Sequence, residues 1–210
     1  DNVASGELRF NVMNTEPLGQ SGVAEGEMNE NPVIGEQKTA VVLLAYAPQN
    51  GYRQYTKEEV YNFIYNQSNP DSISSYFNKT SYGKTWLSGS VDDIYGYYEL
   101  PYFPLITLSS VPPLEGLMDS YIDSEINFSE KNYKRILALW ISNDSGGGAG
   151  NVGGVAITGF GLIPIFTDEG IKDMSISYIY LSGFDNLYYK QPKGVIEHEL
   201  GHNFGARHSA

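Results

Sequence analysis

The run His198-Glu199-Leu200-Gly201-His202-Asn203-Phe204-Gly205-Ala206-Arg207-His208 holds all three histidines of the 210-residue chain. Residues four apart on an α-helix lie one turn above each other on the same face. His198 and His202 can therefore offer two imidazole nitrogens to one ion without bending the backbone. A helix is expected here on local grounds. Pro192 suits a first turn, Val195, Ile196, Leu200 and Phe204 make an apolar side, and Gly205 falls where a helix stops. A helix continued to residue 208 would carry His208 off the ligand face, since each residue advances about 100°. Glycine accepts positive φ at little steric cost, so a bend at Gly205 can bring His208 back as a third ligand. Three protein ligands plus one open, water-filled position is the pattern of catalytic rather than structural zinc. Glu199 cannot share the histidines' direction, yet its side chain can reach a water in that fourth position. It would take the water's proton as general base for attack on a polarised carbonyl. The competing reading is a helix whose histidines are satisfied by backbone carbonyls. In a chain this long, these five residues at these spacings arise by accident on the order of 10⁻⁵ of the time.

The stretch fits HExxHxxGxxH and so resembles the metzincin clan of zinc metallopeptidases. Ser81-Tyr82-Gly83-Lys84 followed by Leu87-Ser88-Gly89-Ser90-Val91, together with Val195 to Gly205, is similar to gametolysin-like and related secreted bacterial members. The resemblance implies His198, His202 and His208 as zinc ligands and Glu199 as general base. It also implies an endopeptidase whose substrates are extended protein or peptide segments. Metzincins carry a methionine turn beneath the metal and a C-terminal subdomain, both after the third histidine. Met13, Met28, Met118 and Met174 all precede the motif, and only Ser209 and Ala210 follow it. The expectation is that this C-terminal subdomain is missing from the chain, and that a downstream segment or a second chain completes the site.

Composition narrows the remaining choices. A hydrophobic content of 41% is ordinary for a globular chain and long enough here for a sizeable core. Twenty-five acidic against 13 basic side chains, a net charge of −12, argue against nucleic acid as a partner. No apolar run approaches the ~20 residues needed to cross a bilayer, and no basic-then-apolar leader opens the sequence. The acidity reads mainly as solubility. Structural calcium is the sharper alternative, with Asp92-Asp93 and Thr167-Asp168-Glu169-Gly170 as the places to look, though neither has a complete loop spacing. There is no cysteine, so disulfides and thiolate zinc sites are excluded within these residues. Seventeen tyrosines and 23 glycines with few basic residues suit a secreted, extracellular protein in mature form.

Residues 1–37 read as an N-terminal arm, a connector or the end of a preceding segment, with Glu7–Val12 as a short alternating strand. Residues 38–210 read as the metallopeptidase catalytic domain, incomplete at its C-terminus. Within it, Ala40–Tyr46 is a buried strand. Thr56-Lys57-Glu58-Glu59 opens a helix with a capping box, burying Val60, Phe63 and Ile64. A second helical stretch after Pro70 points Ile73, Tyr76 and Phe77 inward. Thr85–Leu100 makes one or two strands, Leu114–Ile126 has helix spacing, and Arg135–Ser142 is another buried strand. Gly146–Gly154, with six glycines in nine residues, reads as a surface loop or a flap near the cleft; without a lysine and Ser/Thr ending it is no phosphate loop. Val155–Ile157 and Ser175–Leu181 are strands before the histidine helix. This order predicts an α/β (α+β) chain like the N-terminal subdomain of a metzincin: a twisted mixed sheet, a backing helix and a zinc-binding active-site helix. In that architecture a substrate adds to an edge strand along the cleft, and residues 153–181 are the expected source of that edge.

Two functions of different kind follow. One is a zinc-dependent endopeptidase. The alternative is a zinc-binding but catalytically inactive fragment or recognition module.

Overall fold

The apolar run at Ala40–Tyr46 is the core of a longer strand, β1 (Gly35–Tyr46). It belongs to a computed structural model that describes residues 33–46, 54–100, 122–142, 152–156, 163–182 and 190–206. The expected strand at Glu7–Val12, most of the helix spacing over Leu114–Ile126 and most of the glycine run lie outside those residues.

On one side β1 pairs in parallel with β2 (Thr85–Ser88) and then with β3 (Ile94–Leu100). On the other it pairs in parallel with β4 (Arg135–Ser142). The antiparallel pairs come next to the last strand, β7 (Gly170–Ser182). It runs parallel to β4 and antiparallel to both β5 (Val152–Ala156) and β6 (Ile163–Thr167). The path through this mixed, twisted sheet is β2-β1-β4-β7-β5.

Side chains alternate across it with period two. Val41, Leu43, Leu137, Leu139, Ile141 and Ile179 face one layer. Ala40, Val42, Leu44, Ile136, Ala138, Trp140, Ile176 and Tyr178 face the other. Both layers are covered, which is why β1 and β4 read as continuous apolar runs rather than alternating ones.

Three helices cover the first layer. α1 (Lys57–Ile64) begins at Thr56, whose hydroxyl accepts from the Glu59 amide while the Glu59 carboxylate accepts from the Thr56 amide. α2 (Ile73–Thr80) is capped by Ser72. The backing helix is thus two short ones. In α2, Ile73 and Phe77 are buried as expected, but Tyr76 is exposed. Ser74 takes the inward place instead, donating its hydroxyl to the Leu87 carbonyl at 2.7 Å. The third is the histidine helix, α4 (Lys190–Asn203), which packs on β5 and β7.

The second layer is closed by residues 122–133. Ile122 and Ile126 are buried around a 3₁₀ turn at Asp123–Glu125, so the helix spacing does not produce an α-helix in its last, described part. The Asp123 carboxylate accepts from the Asp168 amide at 2.6 Å, tying this turn to the β6–β7 hairpin. α3 (Phe128–Lys131) follows, with Asn127 as its cap and Phe128 buried.

Two further differences from the sequence reading have physical causes. β5 occupies Val152–Ala156, so Gly153 and Gly154 are strand residues paired with Tyr180 and Ile179. β6 and the first third of β7 form a hairpin arm with exposed Phe166 and Ile171 opposite each other. Two large exposed apolar side chains on this arm blur the alternation, and Pro164 hides the strand further.

Candidate metal centre

α4 is built by burying one side. Ile196 and Leu200 are fully buried and Val195 nearly so, packed with Leu139, Ile141 and Ile179 of the sheet. Each such side chain contributes about 1.5–3 kcal/mol relative to exposure. That anchored stripe turns His198 and His202 toward the same point. Their Nε2 atoms lie 3.0 Å apart, with the rings nearly perpendicular.

The helix stops where glycine was expected to stop it. Gly205 has φ of +93°. The Ala206 amide donates to the Gly201 carbonyl and the Gly205 amide to the His202 carbonyl, both at 2.9 Å. These are the two bonds of a Schellman turn, and they satisfy carbonyls that a helix end would otherwise leave open.

The same turn sets the His202 ring. The Nδ1 of His202 lies 2.8 Å from the Ala206 carbonyl. A carbonyl can only accept, so Nδ1 carries the proton and the Nε2 lone pair faces His198. A tetrahedral ion with Zn–N of ~2.0–2.1 Å would hold its two nitrogens about 3.3 Å apart. The donor chemistry, the spacing and the fixed tautomer all fit a metal ligated by His198 and His202.

Among the described residues, no three His, Asp or Glu side chains surround one point. His208, the expected third ligand, lies outside the described residues. Glu199 is buried beside the pair. The other glutamate flanking His198 has a different environment: Glu197 is 3.8 Å from Lys193 one turn earlier, and Lys193 lies equally far from Asp71. Burial pushes the Glu197 carboxyl up despite that lysine.

The calcium expectation is not supported. The Asp93 carboxylate is engaged by the Ser90 amide and hydroxyl, the Tyr133 hydroxyl and Lys131. It caps a 3₁₀ turn (Val91–Asp93) rather than presenting oxygens to an ion. Thr167–Gly170 is the tight turn of the β6–β7 hairpin, closed by the Thr167 hydroxyl on the Gly170 carbonyl.

Three residues near the site have partners that the motif does not reveal. Asn203 is buried, accepting from the Ser177 hydroxyl at 2.8 Å and donating to the Ile176 carbonyl at 3.3 Å. Phe204 packs edge-on against Phe77 of α2, ring centres 4.5 Å apart. The Arg135 guanidinium lies over the Phe204 ring, 4.2 Å from its centre, and Arg135 is 2% exposed. Burial lowers its pKa to about 9. The available signal was a single charge opening the otherwise apolar strand Arg135–Ser142.

A mixed sheet with an antiparallel edge strand, and a histidine helix ending in a glycine turn, define a metzincin-like fold. Residues 113–209 match the model of metallo-peptidase family M12B, reprolysin-like. That stretch spans β4 to the histidine motif and supports a metallopeptidase of metzincin type. No curated protein matches the chain.

Proposed function

We propose that the protein is a zinc-dependent endopeptidase in which His198, His202 and His208 hold the metal and Glu199 is the general base. The observation that carries this reading is the pair of Nε2 atoms 3.0 Å apart on consecutive turns of α4, with the His202 tautomer held by the Ala206 carbonyl. The positive-φ turn at Gly205 supports a return of His208 toward that pair. When bound, zinc would supply Lewis acidity, polarising a carbonyl and lowering the pKa of water toward ~7.

The chain's own residues do the rest. Glu199, buried beside the histidines, accepts the proton of the attacking water and returns it to the leaving amine. Its burial keeps bulk water from competing for that proton. The antiparallel edge strand β5 lies against α4, on the side of the sheet path that ends there. An extended substrate segment pairs with it as an added strand, its main-chain hydrogen bonds giving affinity with little sequence demand.

The test is hydrolysis of an unfolded protein substrate by the zinc-loaded chain and by Glu199→Ala. The variant should bind zinc as the parent does and lose turnover by about 10²–10⁴-fold or more. Equal turnover would remove Glu199 from the mechanism. Stoichiometric zinc without any turnover by the parent would select the recognition-module reading instead.

A further inference from the structure

We infer that Arg135 is a positioning residue for the metal centre, fixing through the end of α4 the carbonyl that orients His202. The inference rests on the zinc-site reading above and adds a residue that no motif contains.

The argument is an accounting of the last turn of α4. Phe204 and Ala206 amides cover the Leu200 and Gly201 carbonyls, and the Gly205 amide covers that of His202. The carbonyl of Asn203 remains outside the Schellman turn. Arg135 donates to it from Nη1 at 3.2 Å. The C-terminal end of a helix carries partial negative charge, so a guanidinium there is favoured beyond the single hydrogen bond. Among the described residues, no carboxylate forms an ion pair with Arg135. The helix end takes the place that a buried counter-ion would otherwise fill.

Three strands hold the cation in place. Nη1 also donates to the Ser175 hydroxyl of β7 at 2.6 Å, and Nη2 to the Gln37 side chain of β1 at 3.2 Å. Arg135 itself opens β4. Its guanidinium carbon lies over the Phe204 ring, and that ring also packs against Phe77. The planar fork reaches these acceptors with Nη1 and Nη2 together, leaving its buried Nε without a partner among the described residues, and a flexible ammonium does not offer the same set of directions. From Phe204 the chain passes directly into Gly205 and Ala206, and the Ala206 carbonyl receives the proton of His202 Nδ1. The path from sheet to ligand is thus Gln37 and Ser175 to Arg135, to Asn203 and Phe204, to Ala206, to His202. Partners of this kind set the ring and basicity of a metal-ligating histidine.

The 210-residue chain with Arg135→Lys or Arg135→Met would be compared with the parent in two measurements. One is zinc affinity by chelator competition at a temperature where each protein is fully folded. The other is the His202 tautomer in metal-free protein, read from nitrogen–proton NMR. Both variants should bind zinc about tenfold or more weakly, and His202 should lose its single Nδ1-protonated form. Lysine should rescue no better than methionine. Gln37→Leu removes the Nη2 partner together with that side chain's own bonds to the Ile34 and Gly35 carbonyls, touches neither helix nor histidine, and keeps the question open to measurement if both Arg135 variants fail to fold. It should weaken zinc by about threefold, a fraction of the same effect. Folded variants, Gln37→Leu included, with parental zinc affinity and an unchanged tautomer would overturn the assignment. A parent chain that takes up no zinc would overturn the metal-site reading instead, and the metal-free tautomer would still decide the role of Arg135.

Discussion

The Ala206 carbonyl orients His202, and it lies in its place because of Gly205, three residues after that histidine. Gly205 at φ +93° sits where a β-branched side chain is sterically penalised. Gly205→Val should strain the turn by about 1–3 kcal/mol, shift the Ala206 carbonyl and weaken zinc, although it touches no ligand. Chelator competition measures this; parental affinity in the variant would refute the turn argument. Far from the helix, Asp93 offers a prediction of another kind. Burial alone would raise its carboxyl, but hydrogen bonds from Tyr133, Ser90 and Lys131 outweigh burial and hold it below the usual range. A depressed carboxyl stabilises fully above the unfolded value of ~4, and its contribution fades as pH falls through the lower folded value. Asp93→Asn should therefore cost about 1–3 kcal/mol at pH 7. The difference from the parent should narrow below about pH 4. Urea midpoints across pH 3–7 would show a constant gap if the charge of Asp93 contributes nothing.

Elements with a complete local code form as that code prescribes. Thr56 and Glu59 exchange both capping bonds, and α1 buries the three residues expected of it. Thr56→Ala should lower stability by about 1 kcal/mol, seen as a reduced melting temperature without change in zinc affinity. α4 likewise follows its apolar stripe and its glycine stop. Ile196→Ala should cost about 2–5 kcal/mol, because the side chain is fully buried between helix and sheet. A loss below 1 kcal/mol would mean that α4 is not held by this packing. Elements with a weak code were harder to foresee. Tyr76 lost its inward place to Ser74, whose small hydroxyl reaches a strand carbonyl that the tyrosine ring cannot. β5 begins inside a glycine-rich stretch because β7 supplies its hydrogen bonds, and no side-chain preference announces a strand there. The β6–β7 arm is defined by pairing between strands, and its exposed Phe166 and Ile171 blur the alternation that would mark it.

For the molecule as a whole, the metal is expected to add to stability as well as to chemistry. A ligand that binds only the folded state stabilises it by about 2.7 kcal/mol at a free concentration 100 times its Kd. Stripping zinc with a chelator should lower the melting temperature measurably, and Glu199→Ala should show the same drop because it keeps the ligands. An identical melting curve with and without chelator would show that the native fold gains nothing from the ion. The sheet that carries the site is buried on both faces. Its central strands β1 and β4 were therefore legible as apolar runs, while their order, β2-β1-β4-β7-β5, was not. Local sequence determined the helix with two histidines one turn apart, its apolar side, the neighbouring acid and the glycine that ends it, because those follow from helical geometry and backbone sterics alone. Only tertiary structure decided that Arg135, 68 residues before Asn203, would meet the helix end, since its partners come from two other strands and the helix itself. The physical reason is range: periodicity and capping act within a few residues, whereas satisfaction of a buried cation depends on which distant groups the sheet brings together.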